Sequence, residues 1–93
     1  MMTPQTAEAL ALSALGWIAA SDDLIGVFMG ATGSSLDTMR AQAADPAFLG
    51  SVLDFLLMDD SWVVAFCDSN DLDYRQPMIA RQLLPGGEIP NWT

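Results

Sequence analysis

Apolar residues recur along this chain at helical spacing in short stretches. Each stretch opens with a residue that caps helices and closes with Gly, Asn or an Asp-Pro pair. The strict alternation of apolar and polar residues that is typical of strands does not occur, and no repeat or interdomain linker is visible. The pattern predicts an all-α fold, a compact bundle of five or six short helices.

The first predicted helix is the most apolar and should lie at the centre of the bundle. Thr3 offers an N-cap hydroxyl, Pro4 suits the first helical position, and the helix should run to about Ala20. Its apolar residues cover well over half of the helix circumference. They are Leu10, Ala11, Leu12, Ala14, Leu15, Trp17, Ile18 and Ala19.

The next two helices are marked mainly by their ends. Ser21 should cap the second helix and Gly33 should end it in the left-handed conformation. Ser34, with Asp37 three residues later, approximates a capping box for a third helix that should end where Asp45 meets Pro46. The residues expected to face inward are Leu24, Ile25, Val27, Phe28 and Ala31 on the second helix, and Leu36, Met39 and Ala43 on the third.

The fourth helix, which Asp45 and Pro46 begin, has the cleanest amphipathic pattern. Its apolar stripe is Phe48, Leu49, Val52, Leu53, Phe55, Leu56 and Leu57, opposite Gly50, Ser51, Asp54 and Met58. Asp59, Asp60 and Ser61 should cap a fifth helix through Cys67, although Val63 and Val64 lower its helical propensity.

A sixth helix should run from about Tyr74 to Leu84 with Pro77 in its first turn, where a missing N–H breaks no intrahelical bond. We therefore predict one domain over residues 1–93, with a helical body at about 4–84 and an irregular tail at 85–93 that contains Pro90 and Trp92.

The charge of the chain restricts its partners. Twelve Asp and Glu face three Arg, with no Lys and no His, which gives a formal net charge of −9. Nucleic acids and anionic membrane surfaces bind proteins chiefly through Lys and Arg, so neither is an expected partner. The segment from Ile25 to Ala44 has the spacing of a helix-turn-helix motif. Because Arg40 is its only cation, packing of a helix hairpin is favoured over DNA binding.

The composition also removes several chemistries. Without His there is no imidazole base or metal ligand, and one cysteine can form neither an intramolecular disulfide nor a Cys-based zinc site. Cys67 has no nearby cation to stabilise a thiolate, which favours a buried structural role. We predict no catalytic, cofactor-binding or metal-binding residue and no cofactor, and we expect a protein that is not an enzyme.

Three weaker patterns have structural explanations. Asp68, Asn70, Asp71 and Asp73 suggest a calcium loop, but the EF-hand spacing fails, which favours capping and turn roles. Adjacent Asp59 and Asp60 are likewise read as caps rather than a catalytic pair. Gly26 and Gly30, one helical turn apart, would permit a partner contact, a crowded helix crossing within the chain, or plain exposed surface.

The apolar run from Ala9 to Ala20 resembles part of a secretory signal, but no basic residue precedes it and it is too short to span a bilayer. We therefore expect a cytoplasmic protein, and a lone thiol is consistent with a reducing compartment.

Four segments together resemble a known family. They are Ala31-Thr-Gly33 before a capped helix, Asp45-Pro-Ala-Phe-Leu49, Val52-Leu-Asp-Phe-Leu-Leu57 and Leu84-Pro-Gly-Gly87, followed by a Pro and a Trp. The chain resembles a family of small bacterial all-helical proteins of unknown function. The resemblance implies a stand-alone cytoplasmic helical domain and assigns no catalytic residue, cofactor or partner.

Elimination of site chemistry leaves a non-enzymatic protein-interaction domain as the leading function, with an unknown protein partner or self-association. The alternative is a small-molecule-binding or enzymatic role in a pocket between helices. Its stacking and anion-binding residues would be Trp17, Trp62, Tyr74, Arg75 and Arg81.

Charge repulsion should lower stability at neutral pH, because like charges lie closer together in the folded chain than in the open chain. The melting temperature should rise between about 10 mM and 200 mM NaCl, as the Debye length falls from roughly 30 Å to below 10 Å. Thermal unfolding followed by circular dichroism measures this. A melting temperature that is flat or falls with salt would show that repulsion is not a significant contribution.

Overall fold

The computed structural model describes residues 2–85, which fold into six α-helices and contain no strand. The helices are α1 (Pro4–Ala20), α2 (Asp22–Thr32), α3 (Leu36–Gln42), α4 (Pro46–Leu56), α5 (Asp60–Asn70) and α6 (Gln76–Gln82). The predicted all-α fold is therefore confirmed. Residues 86–93, which make up nearly all of the predicted tail and include Pro90 and Trp92, lie outside the described residues.

Two helices, α1 and α4, organise the bundle, and the predicted central position of the first helix is confirmed. α1 packs against α2, α4 and α6, and α4 packs in addition against α2, α5 and α6. The molecule measures 38 × 28 × 23 Å along its principal axes. No helix packs its backbone closely against α3, which is attached to the bundle mainly through side chains.

Most helix ends follow the capping signals. The Thr3 hydroxyl accepts a hydrogen bond from the Thr6 amide, and the Thr6 hydroxyl accepts one from the Thr3 amide, which completes a capping box. Ser21 caps α2, and Gly33 ends that helix at a φ of 70°. Asp45 and Asp59 cap α4 and α5, so the fifth helix forms despite its two valines.

The start of α3 differs from the prediction by one residue. Ser35, not Ser34, is the N-cap, and its hydroxyl accepts from the Thr38 amide at 3.1 Å. Ser34 belongs to the turn that closes α2, where its own amide donates to the Thr32 hydroxyl. The predicted box with Asp37 therefore does not form, and α3 ends at Gln42, before the expected Asp45.

The sixth helix is shorter than predicted. It starts at Gln76 rather than Tyr74, because the Asp73 side chain and carbonyl hold a separate turn through the amides of Arg75 and Gln76. Pro77 lies in the first turn as expected, and the helix ends at Gln82 rather than Leu84.

The core is built mainly from α1 and α4. Phe28 of α2 is fully buried and meets Phe48 and Phe55 of α4 edge to face, with ring centroids 6.2 and 5.2 Å apart. The buried apolar residues are Ala7, Leu10, Ala11, Ala14, Leu15, Ile18, Phe28, Met39, Phe48, Leu49, Val52, Leu53, Phe55, Leu56, Val63, Phe66, Cys67, Ala80 and Leu84. The predicted α4 stripe is confirmed except at Leu57, which is only half-buried.

The predicted inward faces of α2 and α3 are too wide. Val27 is 51% exposed and Ala31 is exposed, which leaves Phe28 as the only fully buried residue of α2. In α3 only Met39 is buried. Both helices touch the core along a narrow line, so their flanking apolar residues remain at the surface.

Gly50 is also placed differently from the prediction, because it is buried beneath the side chain of Arg81. The Arg81 guanidinium donates two hydrogen bonds to the Asp54 carboxylate, at 2.5 and 2.9 Å, and a third to the Pro85 carbonyl at 3.0 Å. Only 13% of the Arg81 side chain is exposed. This arrangement joins the end of α6 to α4, and the bare backbone of Gly50 makes room for it.

Within residues 2–85, no single helix has both the length and the apolar character needed to cross a bilayer. Taken together, α1 and α2 have the length and apolar composition of a membrane-crossing segment, but the chain bends by 115° at the break between them.

Gly50→Ala should destabilise the protein, because the new Cβ would lie 2.9 Å from Nη1 of Arg81 and 3.0 Å from the backbone oxygen of Pro85. We expect a loss of about 1–2 kcal/mol after the helix-propensity gain of alanine is included. Gly26→Ala in α2 is the matched control, since nothing lies within 4 Å of its Cβ position. Urea unfolding compares the two, and equal midpoints would contradict this account of Gly50.

Candidate functional site

Apolar side chains that the sequence predicts to be buried are exposed between α1 and α3. Leu12 is 49% exposed and Leu36 is 54% exposed. Gly16 and Ala19 follow Leu12 at helical spacing on the same side of α1 and are also exposed. The predicted apolar arc of α1 is therefore correct as a pattern, but one side of it faces solvent instead of the core.

These residues line a continuous groove. One cavity of about 450 Å³ is lined by Leu12, Leu15, Gly16, Ala19, Leu36, Met39, Arg40 and Ala43. A neighbouring cavity of about 380 Å³ is lined by Glu8, Ala9, Leu12, Arg40, Ala41, Ala43, Ala44 and Leu49. Because the two share Leu12, Arg40 and Ala43, we treat them as one surface, the α1–α3 groove.

The groove exists because α3 does not close against α1. Met39 is the only fully buried residue of α3, so the two helices are joined by few side chains. Gly16 then leaves the α1 wall without a side chain, and a Cβ at this position would meet nothing within 4 Å. The sequence analysis did not predict this role of Gly16. The signal that could have indicated it is a glycine beside an apolar arc that is wider than a helix normally buries.

The groove carries little charge. Glu8 and Arg40 are its only ionisable lining residues. The other two arginines are already paired, Arg75 with Asp73 at 3.1 Å and Arg81 with Asp54 at 2.5 Å. Arg40 is exposed and makes no ion pair with an acid among the described residues. The groove can therefore contact apolar surface and offers one free guanidinium beside it.

Two other cavities are less uniform. The first, of about 470 Å³, is lined by Met2, Thr6, Ala9, Leu10, Ser13, Asn70, Leu72 and Gln76. The second, of about 390 Å³, is lined by Ala31, Thr32, Ser34, Gln42, Phe48, Ser51, Asp54, Phe55 and Met58. Several of their polar groups are already used inside the fold: Asn70 donates to the Phe66 carbonyl and Ser51 to the Phe48 carbonyl.

The aromatic residues proposed for a small-molecule pocket do not meet in one place. Trp17 packs edge-on against Phe66, with ring centroids 5.9 Å apart. Trp62 instead stacks on Phe55 at 4.8 Å. Both indoles therefore serve the packing of the bundle, and neither lines the cavities described above.

The polar members of that predicted pocket are also engaged elsewhere. The Tyr74 hydroxyl donates to Asp68 at 2.7 Å, which raises the pKa of Tyr74. Hydrogen bonds from Arg75 lower the pKa of Asp73, and Asp73 in turn raises the pKa of Arg75. Arg81 is held by Asp54, so Tyr74, Arg75 and Arg81 are each bonded to a different acid.

The loop once considered for calcium has separate structural bonds. Asp71 ends α5 in the left-handed conformation at a φ of 56°, and its amide donates to the Cys67 carbonyl. Asp68 accepts a hydrogen bond from the Tyr74 hydroxyl, and Asp73 accepts one from the Arg75 guanidinium. Asn70 donates to the Phe66 carbonyl. Across residues 2–85 no group of three or more acidic or cysteine side chains is placed to hold a metal ion.

The adjacent acids Asp59 and Asp60 also have different roles. Asp59 accepts hydrogen bonds from the Ser61 hydroxyl and amide, which lower its pKa. Asp60 lies in the first turn of α5, near the positive end of the helix dipole. The predicted capping role is therefore confirmed for Asp59, whereas Asp60 is the first residue of the helix itself.

Fold and surface together define a small all-α protein with an apolar groove and without an assembled polar centre among its described residues. Residues 4–87 match DUF3572, a family described as a protein of unknown function, and the chain belongs to this family. The predicted resemblance to a family of unknown function is thereby confirmed. No curated protein and no solved structure matches the chain.

Cys67 should react slowly with thiol reagents in the folded protein. Its side chain is fully buried, and its Sγ donates to the Asp73 carbonyl at 3.6 Å. Burial raises the pKa of the Cys67 thiol, and the charges of Asp68 and Asp73 raise it further, so less thiolate is present at pH 7–8 than in a free cysteine. Iodoacetamide labelling followed by mass spectrometry should be at least about tenfold slower in buffer than in urea. Equal rates would show that Cys67 is accessible.

Proposed function

We propose that this chain is a non-enzymatic protein-interaction domain whose binding surface is the α1–α3 groove. The observation that carries the proposal is that the exposed positions Leu12, Gly16 and Ala19 of α1 line one cavity together with the exposed Leu36 of α3. Nothing lies within 4 Å of the Cβ position of Gly16. Apolar surface of this kind on a folded protein is typical of sites that bind another protein.

An amphipathic helix suits the groove better than a small molecule. The α1 wall runs from Glu8 to Ala19, about 16 Å at the rise of an α-helix, which matches roughly three turns of a partner helix. Helices bind such grooves through apolar residues spaced three and four apart. A small-molecule site would need several polar groups that converge on the ligand. Here the cavity beside Gly16 is almost entirely apolar, and Glu8 and Arg40 are the only charged residues that line the groove.

The groove also lacks the groups that catalysis would use. Glu8 and Arg40 lie at its wall and rim without a nucleophile, since Cys67 and Tyr74 lie outside its lining. This supports binding rather than chemistry at this surface.

The same proposal covers location and excluded partners. A net charge of −9 disfavours nucleic acid and anionic membrane surfaces, because both require cations that this chain lacks. We also propose a cytoplasmic location, with which the single free thiol of Cys67 is consistent because such compartments are reducing.

Gly16→Leu should block binding without harming the fold. The new side chain would extend into the groove, and its Cβ meets no neighbour within 4 Å. Stability should stay equal or rise by up to about 1 kcal/mol, because leucine favours a helix more than glycine does. The measurement immobilises the full chain and exposes it to an extract of its native cell. Gly16→Leu should capture at least about 90% less of a partner that binds through the groove. This corresponds to a loss of about 1.4 kcal/mol or more in binding free energy.

Gly26→Leu is the matched control, since Gly26 is also helical, exposed and open, but lies on α2 outside the groove. Gly26 and Gly30 are both exposed, and nothing in the described part of the chain lies within 4 Å of their Cβ positions, which argues against the crowded crossing and leaves a partner contact or plain exposed surface. Partners captured by the wild type and by Gly26→Leu, but not by Gly16→Leu, bind through the groove. If Gly16→Leu captures every partner that Gly26→Leu does, the groove is not the binding surface.

A further inference from the structure

We infer that the occupant of the α1–α3 groove is a basic amphipathic helix of another protein, with Lys or Arg on both flanks of an apolar ridge. This inference rests on the proposed function and adds the chemistry of the partner. The charges around the groove support this inference, because the apolar lining alone does not indicate the charge of the partner.

Five acids either line the groove or lie within four residues of a lining residue in the chain. Glu8 lines one end of it, and Asp37 directly follows the lining residue Leu36 on α3. The other acids that adjoin the lining residues in sequence are Asp22 and Asp23, just beyond Ala19, and Asp45, directly after Ala44. All four aspartates are exposed. A helix that fills the groove would therefore place its flanks beside carboxylates.

Arg40 is the single cation in this region. It is exposed at the rim and has no ion pair with an acid among residues 2–85. One guanidinium does not balance the five acids at or next to the lining, so the formal charge of this region is negative, as is that of the whole chain. Complementary charge on a partner speeds association and rejects partners of like charge.

A second copy of this chain fits the groove poorly for the same reason. Each copy carries a formal charge of −9, so two copies repel as they approach. An exposed apolar ridge does exist on α6, at Met78, Ile79 and Leu83, but α6 has only seven residues and belongs to an equally acidic molecule. Charge therefore favours a different, basic protein.

The test uses a displayed library of amphipathic helical peptides about 14 residues long, which is the roughly three turns that the groove accommodates and a few residues more. Ridge positions vary among Ala, Val, Leu, Ile, Met and Phe, and flanking positions vary among Lys, Gln and Glu. Selection on the full wild-type chain should enrich Lys at the flanks. Selection on Gly16→Leu should enrich no common ridge, whereas Gly26→Leu should behave as the wild type does.

Selected peptides are then synthesised with Lys or Glu flanks on one ridge, and their affinities are measured by fluorescence anisotropy. At about 20 mM NaCl the Lys form should bind at least about tenfold more tightly, and about 200 mM NaCl should reduce the difference. Asp37→Asn should weaken the Lys form, and Arg40→Gln should strengthen it. Asp60→Asn, also an exposed aspartate in the first turn of a helix, should change neither affinity.

The outcomes separate the two levels of the argument. If Glu-flanked peptides bind as tightly as Lys-flanked ones and Gly16→Leu blocks both, the groove binds helices but the inferred basic partner is wrong. If no peptide binding depends on Gly16, the proposed function fails as well. If sedimentation shows that the chain is a dimer and that Gly16→Leu makes it monomeric, the occupant is a second copy and the inference is overturned.

Discussion

The rest of the structure depends on one row of small side chains along α1. Ala7, Ala11 and Ala14 are fully buried and lie on the same side of the helix as Ile18. Short side chains allow neighbouring helices to approach closely, and α2, α4 and α6 all pack against α1. A 93-residue chain thereby gains a continuous core that draws on most of its helices. Because α2, α4 and α6 pack against α1 in this way, α3 is left beside the neighbouring side of α1.

Local signals predicted the helices well because caps act within a few residues. Ser21, Gly33, Asp45 and Asp59 all end or begin helices where the sequence places them. The errors occur where two neighbouring residues can serve the same role, as with Ser34 and Ser35. Which of the two caps the helix depends on the preceding turn, and the pattern of single residues does not reveal that.

Burial was harder to predict than helix type. A periodic pattern shows which residues share a face, but not whether another helix covers that face. Leu12 and Leu36 therefore have the pattern of core residues and remain about half exposed. Gly50 shows the opposite error, since its burial depends on Arg81, which is 31 residues away in the chain and has no local signature. The groove is likewise a product of distant pairing, and the sequence hinted at it only through the wide apolar arc of α1 and Gly16.

The loose attachment of α3 has a consequence for motion. With Met39 as its only fully buried side chain, separation of α3 from the bundle exposes little core, at a cost of order 1.5–3 kcal/mol for that side chain. Segments held this weakly open and close far more often than the whole protein unfolds. We therefore expect α3, which forms one wall of the groove, to open locally more often than α1, which forms the other. An occupant that contacts both walls fastens α3 to α1, so binding reduces the exchange of α3 amide hydrogens even at positions that the occupant never touches.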